Sequence, residues 1–240
     1  MVRGLSLFFW FLWLCPLLTV GQRVVLNKGI GGNNTHDLLR RLQKDVLAEK
    51  PDLVILMVGT NDMLNSQKLV PYAQFQENYQ AILGQLKAQN IRVMVMAPPP
   101  VDTGYVLSRH DRRAFTEDLN AKLDSAGGIV RALAAEHRLP FLDLNERFKA
   151  WGSPSREAHS LIINQANMGK EDGIHPTKEG YARIGQEVYR YLKKKRLLKK
   201  NQKIVCFGDS MTYGSYMDGA GTAHGDTYPA VLQRLLQKKN

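Results

Sequence analysis

Four short segments carry residues whose types and spacing suit chemistry together. Ser210 follows Gly208-Asp209 after the apolar run Ile204–Phe207, where a tight turn can present its hydroxyl. Asp172 and His175 stand three apart in Asp172-Gly173-Ile174-His175-Pro176, close enough for the carboxylate to reach back to one imidazole nitrogen. Gly59-Thr60-Asn61-Asp62 and the glycine-dense Asn27-Lys28-Gly29-Ile30-Gly31-Gly32-Asn33 each follow another apolar run. A serine hydroxyl is a weak nucleophile at neutral pH and needs a base. His175 can take its proton, and Asp172 can fix the imidazole tautomer and stabilise the imidazolium. A tetrahedral oxyanion needs preorganised donors. The Ser210 N–H, the Gly32 N–H and the Asn61 side-chain amide can supply three. Taken singly, each segment also has a plainer reading: a polar turn, a helix cap, a glycine-rich loop, a surface histidine.

These segments need elements that bring them together. Val24–Leu26, Leu53–Val58, Arg92–Ala97, Phe141–Leu144 and Ile204–Phe207 read as strands, and the continuous run LVILMV suits a strand covered on both faces. Between them lie helical patterns. His36–Glu49 sets Leu38, Leu39, Leu42, Val46 and Leu47 on one face, and Phe75, Tyr79, Ile82, Leu83 and Leu86 form a second stripe. Further helices are expected over about 113–137, interrupted at Gly127-Gly128, around Tyr181–Leu192, and over Tyr228–Leu236. Strands alternating with such helices predict a parallel sheet with helices on both faces. In such sheets the site lies beyond the carboxyl ends of the strands, which is where all four segments fall.

The chain has 240 residues, 44% hydrophobic and 23% charged, enough for one α/β domain and unlike a disordered, collagenous or polytopic membrane chain. The net charge of +11 invites a nucleic-acid reading. Much of the excess, however, sits in one run, KKKRLLKKNQK at Lys193–Lys203, with no nucleic-acid-binding motif around it. A solvated helix end or linker accounts for it. No zinc-ligand spacing is present, so no metal is expected.

Residues 1–21 pair Arg3 with the apolar run Leu5–Val20, and Thr19 and Gly21 are small residues at signal-cleavage spacing. A signal peptide, or an uncleaved anchor, is expected there, with the protein exported to the periplasm or the exterior. Removing it takes away Cys15 and leaves Cys206 as a single thiol.

The four segments resemble those of the SGNH (GDSL) hydrolases. KIVCFGDSMTYG is similar to the nucleophile block, NKGIGGNNT to the glycine block, VGTNDM to the asparagine block and DGIHPTKEGY to the Asp-x-x-His block. The resemblance covers residues 22 to 240. It implies a three-layer, flavodoxin-like sheet of about five strands and a serine esterase mechanism without cofactor. Ser210, His175 and Asp172 would be catalytic, and Gly32, Asn61 and Ser210 would form the oxyanion hole. The serine block comes first in that family and last here, which is the order a circular permutation produces. The 193–203 run then joins the family's usual termini, and Ile204–Phe207 belongs in the centre of the sheet. The implied substrates are small-molecule, carbohydrate or lipid esters, with lysophospholipase, thioesterase and carbohydrate O-acetylesterase activities as alternatives on the same residues. A non-catalytic binding protein is the reading from another class. The His224–Pro229 segment and the 98–112 loop are expected to line the pocket. No nucleic-acid partner and no stable membrane insertion after signal removal are expected.

Overall fold

The structure, a computed structural model, describes residues 22–238. The leader expected at 1–21 lies outside the described residues. Five parallel strands form one sheet: β1 (Val24–Gly29), β2 (Leu53–Met57), β3 (Arg92–Ala97), β4 (Phe141–Asp143) and β5 (Lys203–Gly208). Their spatial order is β1-β5-β2-β3-β4. The last strand in the chain therefore lies between the first two, and Gly208 sits in register with Gly29 on one side and Met57 on the other.

Parallel neighbours need crossovers, and helices supply them. They are α1 (Thr35–Asp45), α2 (Thr60–Leu64), α3 (Tyr72–Ala88), α4 (Thr103–Leu107), α5 (Leu119–Glu136), α6 (Leu144–Ala150), α7 (Gln165–Met168), α8 (Lys178–Lys194), α9 (Ser210–Tyr213) and α10 (Tyr228–Gln237). Side chains alternate across a strand, so each central strand feeds two cores. Val54, Leu56, Val205 and Phe207 face α1, α3 and α5. Leu53, Ile55, Met57, Ile204 and Cys206 face α6, α8 and α10. Every residue of β2 is buried. The result is the three-layer α/β architecture expected from the sequence.

Several boundaries differ from expectation. Strand β1 runs three residues past Leu26, because the polar Asn27, Lys28 and Gly29 still pair with Cys206, Phe207 and Gly208. Strand β2 stops at Met57 and β4 at Asp143, which caps α6 by accepting from the Glu146 N–H. The first helix ends at Asp45, and a separate 3₁₀ turn follows at Leu47–Glu49. Helix α5 begins only at Leu119, capped by Asp118, whose side chain accepts from the Asn120 and Ala121 N–H groups. Gly127-Gly128 does not interrupt it. Gly127 is buried against β3, where even a Cβ would make only an ordinary contact at 3.5 Å from Ala97 Cβ.

Candidate active site

At its carboxyl end β5 turns directly into α9. A Cβ at Gly208 would lie 2.2 Å from Met57 O and 2.4 Å from Thr212 Oγ1, and one at Gly29 would lie 2.0 Å from Tyr213 N. Two adjacent strand ends lacking side chains therefore let α9 lie against the sheet. Asp209 caps that turn, its Oδ1 accepting from the Met211 N–H at 2.9 Å. Ser210 becomes the first helical residue, and its N–H has no protein acceptor among the described residues. Burial pushes the Asp209 carboxyl up to about 7.

The loop 171–175 faces this turn. Asp172 is 2% exposed, and its Oδ1 accepts from the N–H groups of Ile174 (2.9 Å) and His175 (2.6 Å). His175 Nδ1 lies 2.9 Å from Asp172 Oδ2, and His175 Nε2 lies 2.9 Å from Ser210 Oγ. Burial raises the Asp172 carboxyl, but the hydrogen bond and charge of His175, together with the two backbone donors, outweigh it and hold the group at about 2. An ionised Asp172 takes the Nδ1 proton of the imidazole as a hydrogen bond. That leaves Nε2 as the acceptor facing the serine hydroxyl.

The glycine block turns beside Ser210. Ile30 N–H donates to Gly208 O at 3.2 Å, and Gly32 adopts the left-handed conformation (φ +74°) that favours glycine. The Gly32 N–H also has no protein acceptor among the described residues. Asn34 then caps α1 in a reciprocal capping box with Asp37. Asn61 lies in α2, and its Nδ2 donates to Asn33 O at 2.9 Å. One amide hydrogen is thus used to join the two blocks, and the second remains for a ligand. The next residue, Asp62, is buried and accepts from both the N–H and the hydroxyl of Thr35; burial pushes its carboxyl up to about 6.

Each residue expected at the site lies in these loops or in the first turn of the helix that follows. Ser210, His175 and Asp172 are linked in series. Gly32 is joined to the assembly through the Ile30–Gly208 contact, and Asn61 through Asn33. The sequence reading missed Arg41. Its guanidinium donates to Lys28 O (2.9 Å), Gly208 O (2.6 Å) and Asn33 Oδ1 (2.7 Å), and packs 4.5 Å from the centre of the Phe207 ring. It ties the glycine turn to the nucleophile turn. Its signal in the sequence was slight: a charge beside Leu42 on a helix otherwise reads as solvated. The 98–112 loop does border the site, through Asp102 N–H donating to Gly173 O at 2.8 Å. The pocket expectation for His224–Pro229 is not met. His224 and Gly225 line a cavity of about 590 Å³ against β1 whose wall holds none of Ser210, His175 or Asp172. Thr227 caps α10, and Tyr228 is fully buried.

A serine, a histidine and an aspartate in series at the carboxyl edge of a parallel sheet define a class of α/β proteins equipped for nucleophilic chemistry. Residues 10–183 match the GDSL-like Lipase/Acylhydrolase family, well over half of the chain, and the chain belongs to that family. The match includes the glycine, asparagine and Asp-x-x-His blocks and ends before Ser210. The chain is 31% identical over 131 residues to an acetylxylan esterase of Geobacillus stearothermophilus, a stretch covering 54% of this chain and 57% of that protein. It is 29% identical over 188 residues to the uncharacterized lipoprotein YqeF of Bacillus subtilis, covering 73% and 76%. Among solved structures it resembles a lipase/acylhydrolase from Enterococcus faecalis, with a TM-score of 0.55 and 26% identity over 71% of this chain and 75% of that one.

Proposed function

We propose that the protein is a serine esterase that hydrolyses carboxylic esters through an acyl-enzyme. The 2.9 Å contact between His175 Nε2 and Ser210 Oγ carries this reading. Ser210 Oγ bonds to the ester carbonyl carbon as its proton passes to His175 Nε2, and the carbonyl electron pair moves onto oxygen. The N–H groups of Ser210 and Gly32 and the free amide hydrogen of Asn61 receive that oxyanion. Collapse breaks the bond to the alcohol, which leaves with the proton from His175. Water, deprotonated by the same imidazole, then releases the acid and restores Ser210. Asp172 stays ionised throughout and stabilises the imidazolium.

Within this reading the substrate is an acylated carbohydrate, a choice supported by the 31% identity to an acetylxylan esterase. The inverted order of the blocks is a circular permutation, a reading supported by the central place of β5. The protein acts after export, a reading supported by the apolar segment at 1–21 and the similarity to a lipoprotein.

The test is a chain-length series of p-nitrophenyl esters run beside acetylated xylan and lysophospholipid. Acetyl esters should be preferred, and acetate should be released from the xylan. Ser210→Ala should fold normally and lose hydrolysis, and a serine-directed phosphonate should label Ser210. A folded Ser210→Ala protein with full activity defeats the proposal. Preference for lysophospholipid would keep the mechanism and overturn the substrate.

A further inference from the structure

The Asp172 carboxylate has a neighbour that the Ser–His–Asp arrangement does not require. Arg109 follows α4, on the loop that leaves β3. Its Nη1 donates to Glu171 O at 3.0 Å, its Nη2 donates to Asp172 O, and Nη1 lies 3.5 Å from Asp172 Oδ2. That oxygen is also 2.9 Å from His175 Nδ1, which lies 3.0 Å from Oδ1 as well, while Oδ1 accepts from the Ile174 and His175 N–H groups. The guanidinium and the imidazole therefore share one carboxylate oxygen.

The segment carrying Arg109 is itself docked on the same loop. Asp102 N–H donates to Gly173 O, and a Cβ at Gly173 would lie 2.9 Å from Tyr105 Cβ. Gly173 also adopts φ +71°. The loop is thus gripped near one end through Asp102 and Tyr105 and near the other through the Arg109 fork. An exposed arginine pair is ordinarily weak. Here the Arg109 side chain is 37% exposed while the Asp172 side chain is 2% exposed, so solvent screens the pair incompletely.

We propose that Arg109 is a positioning residue of this site, resting on the assignment of Ser210, His175 and Asp172 as the triad. It clamps the two carbonyls that precede Gly173 and so holds the Asp172 carboxylate toward His175. The other groups around the pair differ in kind. Tyr216 packs edge-on to His175 with ring centres 5.4 Å apart and points its hydroxyl at the Asp172 carboxylate, and burial together with that charge pushes the phenol up; Lys170 lies over the Tyr216 ring at 5.5 Å. Asp209 is buried behind Ser210, and the Glu171 side chain is at the surface. Among the described residues, Arg109 is the lysine or arginine that pairs with Asp172. Removing it releases the Glu171 and Asp172 carbonyls and lets the loop that aims His175 at Ser210 move.

The experiment compares pH profiles of kcat/KM on p-nitrophenyl acetate for the parent, Arg109→Gln, Arg109→Lys and Ser210→Ala, with thermal melts of each. In Arg109→Gln kcat should fall several-fold with KM little changed, because the loop loses its fork. Arg109→Lys keeps a donor and the charge and should recover part of that kcat. If Arg109→Gln fails to fold, Arg109→Met retains the packing of the stem and serves the same comparison. A kcat per folded molecule equal to the parent's in the neutral variants, or a change confined to KM, overturns the proposal. Activity surviving in Ser210→Ala, or a parent profile without an acidic limb, overturns the triad assignment instead.

Discussion

Gln233, on the last helix, and Val25, on the first strand, stand 208 residues apart in sequence and are joined through the glutamine amide. Gln233 Oε1 accepts the Val25 N–H at 2.6 Å, and Gln233 Nε2 donates to Arg23 O at 3.0 Å. The side chain satisfies an edge of β1 that no strand covers among the described residues. It also brings the two ends of the described chain side by side.

This proximity makes the permutation testable. Joining Asn240 to Gln22 through a short Gly/Ser linker and opening the chain near Lys200 should yield a folded protein with near-parental kcat/KM. Reconnection succeeds at surface loops with few buried contacts, and Lys199, Lys200 and Asn201 are exposed. A chain ending at Lys200 should instead aggregate, since β1 and β2 would both lack their shared neighbour. Light scattering and a thermal melt read both outcomes.

Replacing Asn61 by alanine removes a candidate oxyanion donor and the bond to Asn33 O. The expected result is a fall in kcat of about 10²–10³-fold with KM nearly unchanged. A turn residue without a role in catalysis would lower the melting temperature and leave kcat per folded molecule intact. Kinetics measured beside the melt separate the two.

Asp209 makes stability depend on pH with a definite sign. Its folded carboxyl is pushed up to about 7, above the ordinary value of 3.8. Between those values the folded state holds a proton that the unfolded state has released, so this group's contribution weakens as pH rises and is fully lost above about 7. An Asp209→Asn variant keeps an Oδ1 acceptor for the Met211 N–H and carries no charge at this position. The variant should therefore gain on the parent progressively between about pH 4 and pH 8, by on the order of 4 kcal/mol across that range. Urea midpoints across that range would show the trend, and a constant difference would contradict it.

Two glycines two residues apart should respond differently to alanine. At Gly29 the added Cβ meets Tyr213 N at 2.0 Å, so α9 must move off the sheet. A loss of about 3 kcal/mol or more is expected, with activity lost as Ser210 shifts. At Gly31 a Cβ meets nothing within 4 Å, and stability should change by less than about 0.5 kcal/mol. Chemical denaturation of both variants reads the contrast.

The long apolar runs are enough to declare the sheet. LVILMV and IVCF are continuous because β2 and β5 are covered on both faces, and the helical stripes of α3 and α8 are long enough to show their period. The four loop segments were legible for a related reason: the glycine, serine and asparagine segments are local patterns that follow strands, and the Asp-x-x-His pair is a local pattern just ahead of α8. The short helices α2, α4, α7 and α9 escaped, because one turn of helix has no hydrophobic period to read. The polar half of β1 escaped as well, since its strand conformation is imposed by β5 across the register. Local sequence thus determined which residues were available for chemistry and which elements would carry them. The order of the blocks, through the family resemblance, also placed β5 in the centre of the sheet, and it lies between β1 and β2. Only the tertiary structure decided that Arg41 and Arg109, far from Ser210 in sequence, reach the turns and carbonyls around it. Those relations depend on contacts between segments brought together by burial of the two cores, and no short-range pattern encodes such distances.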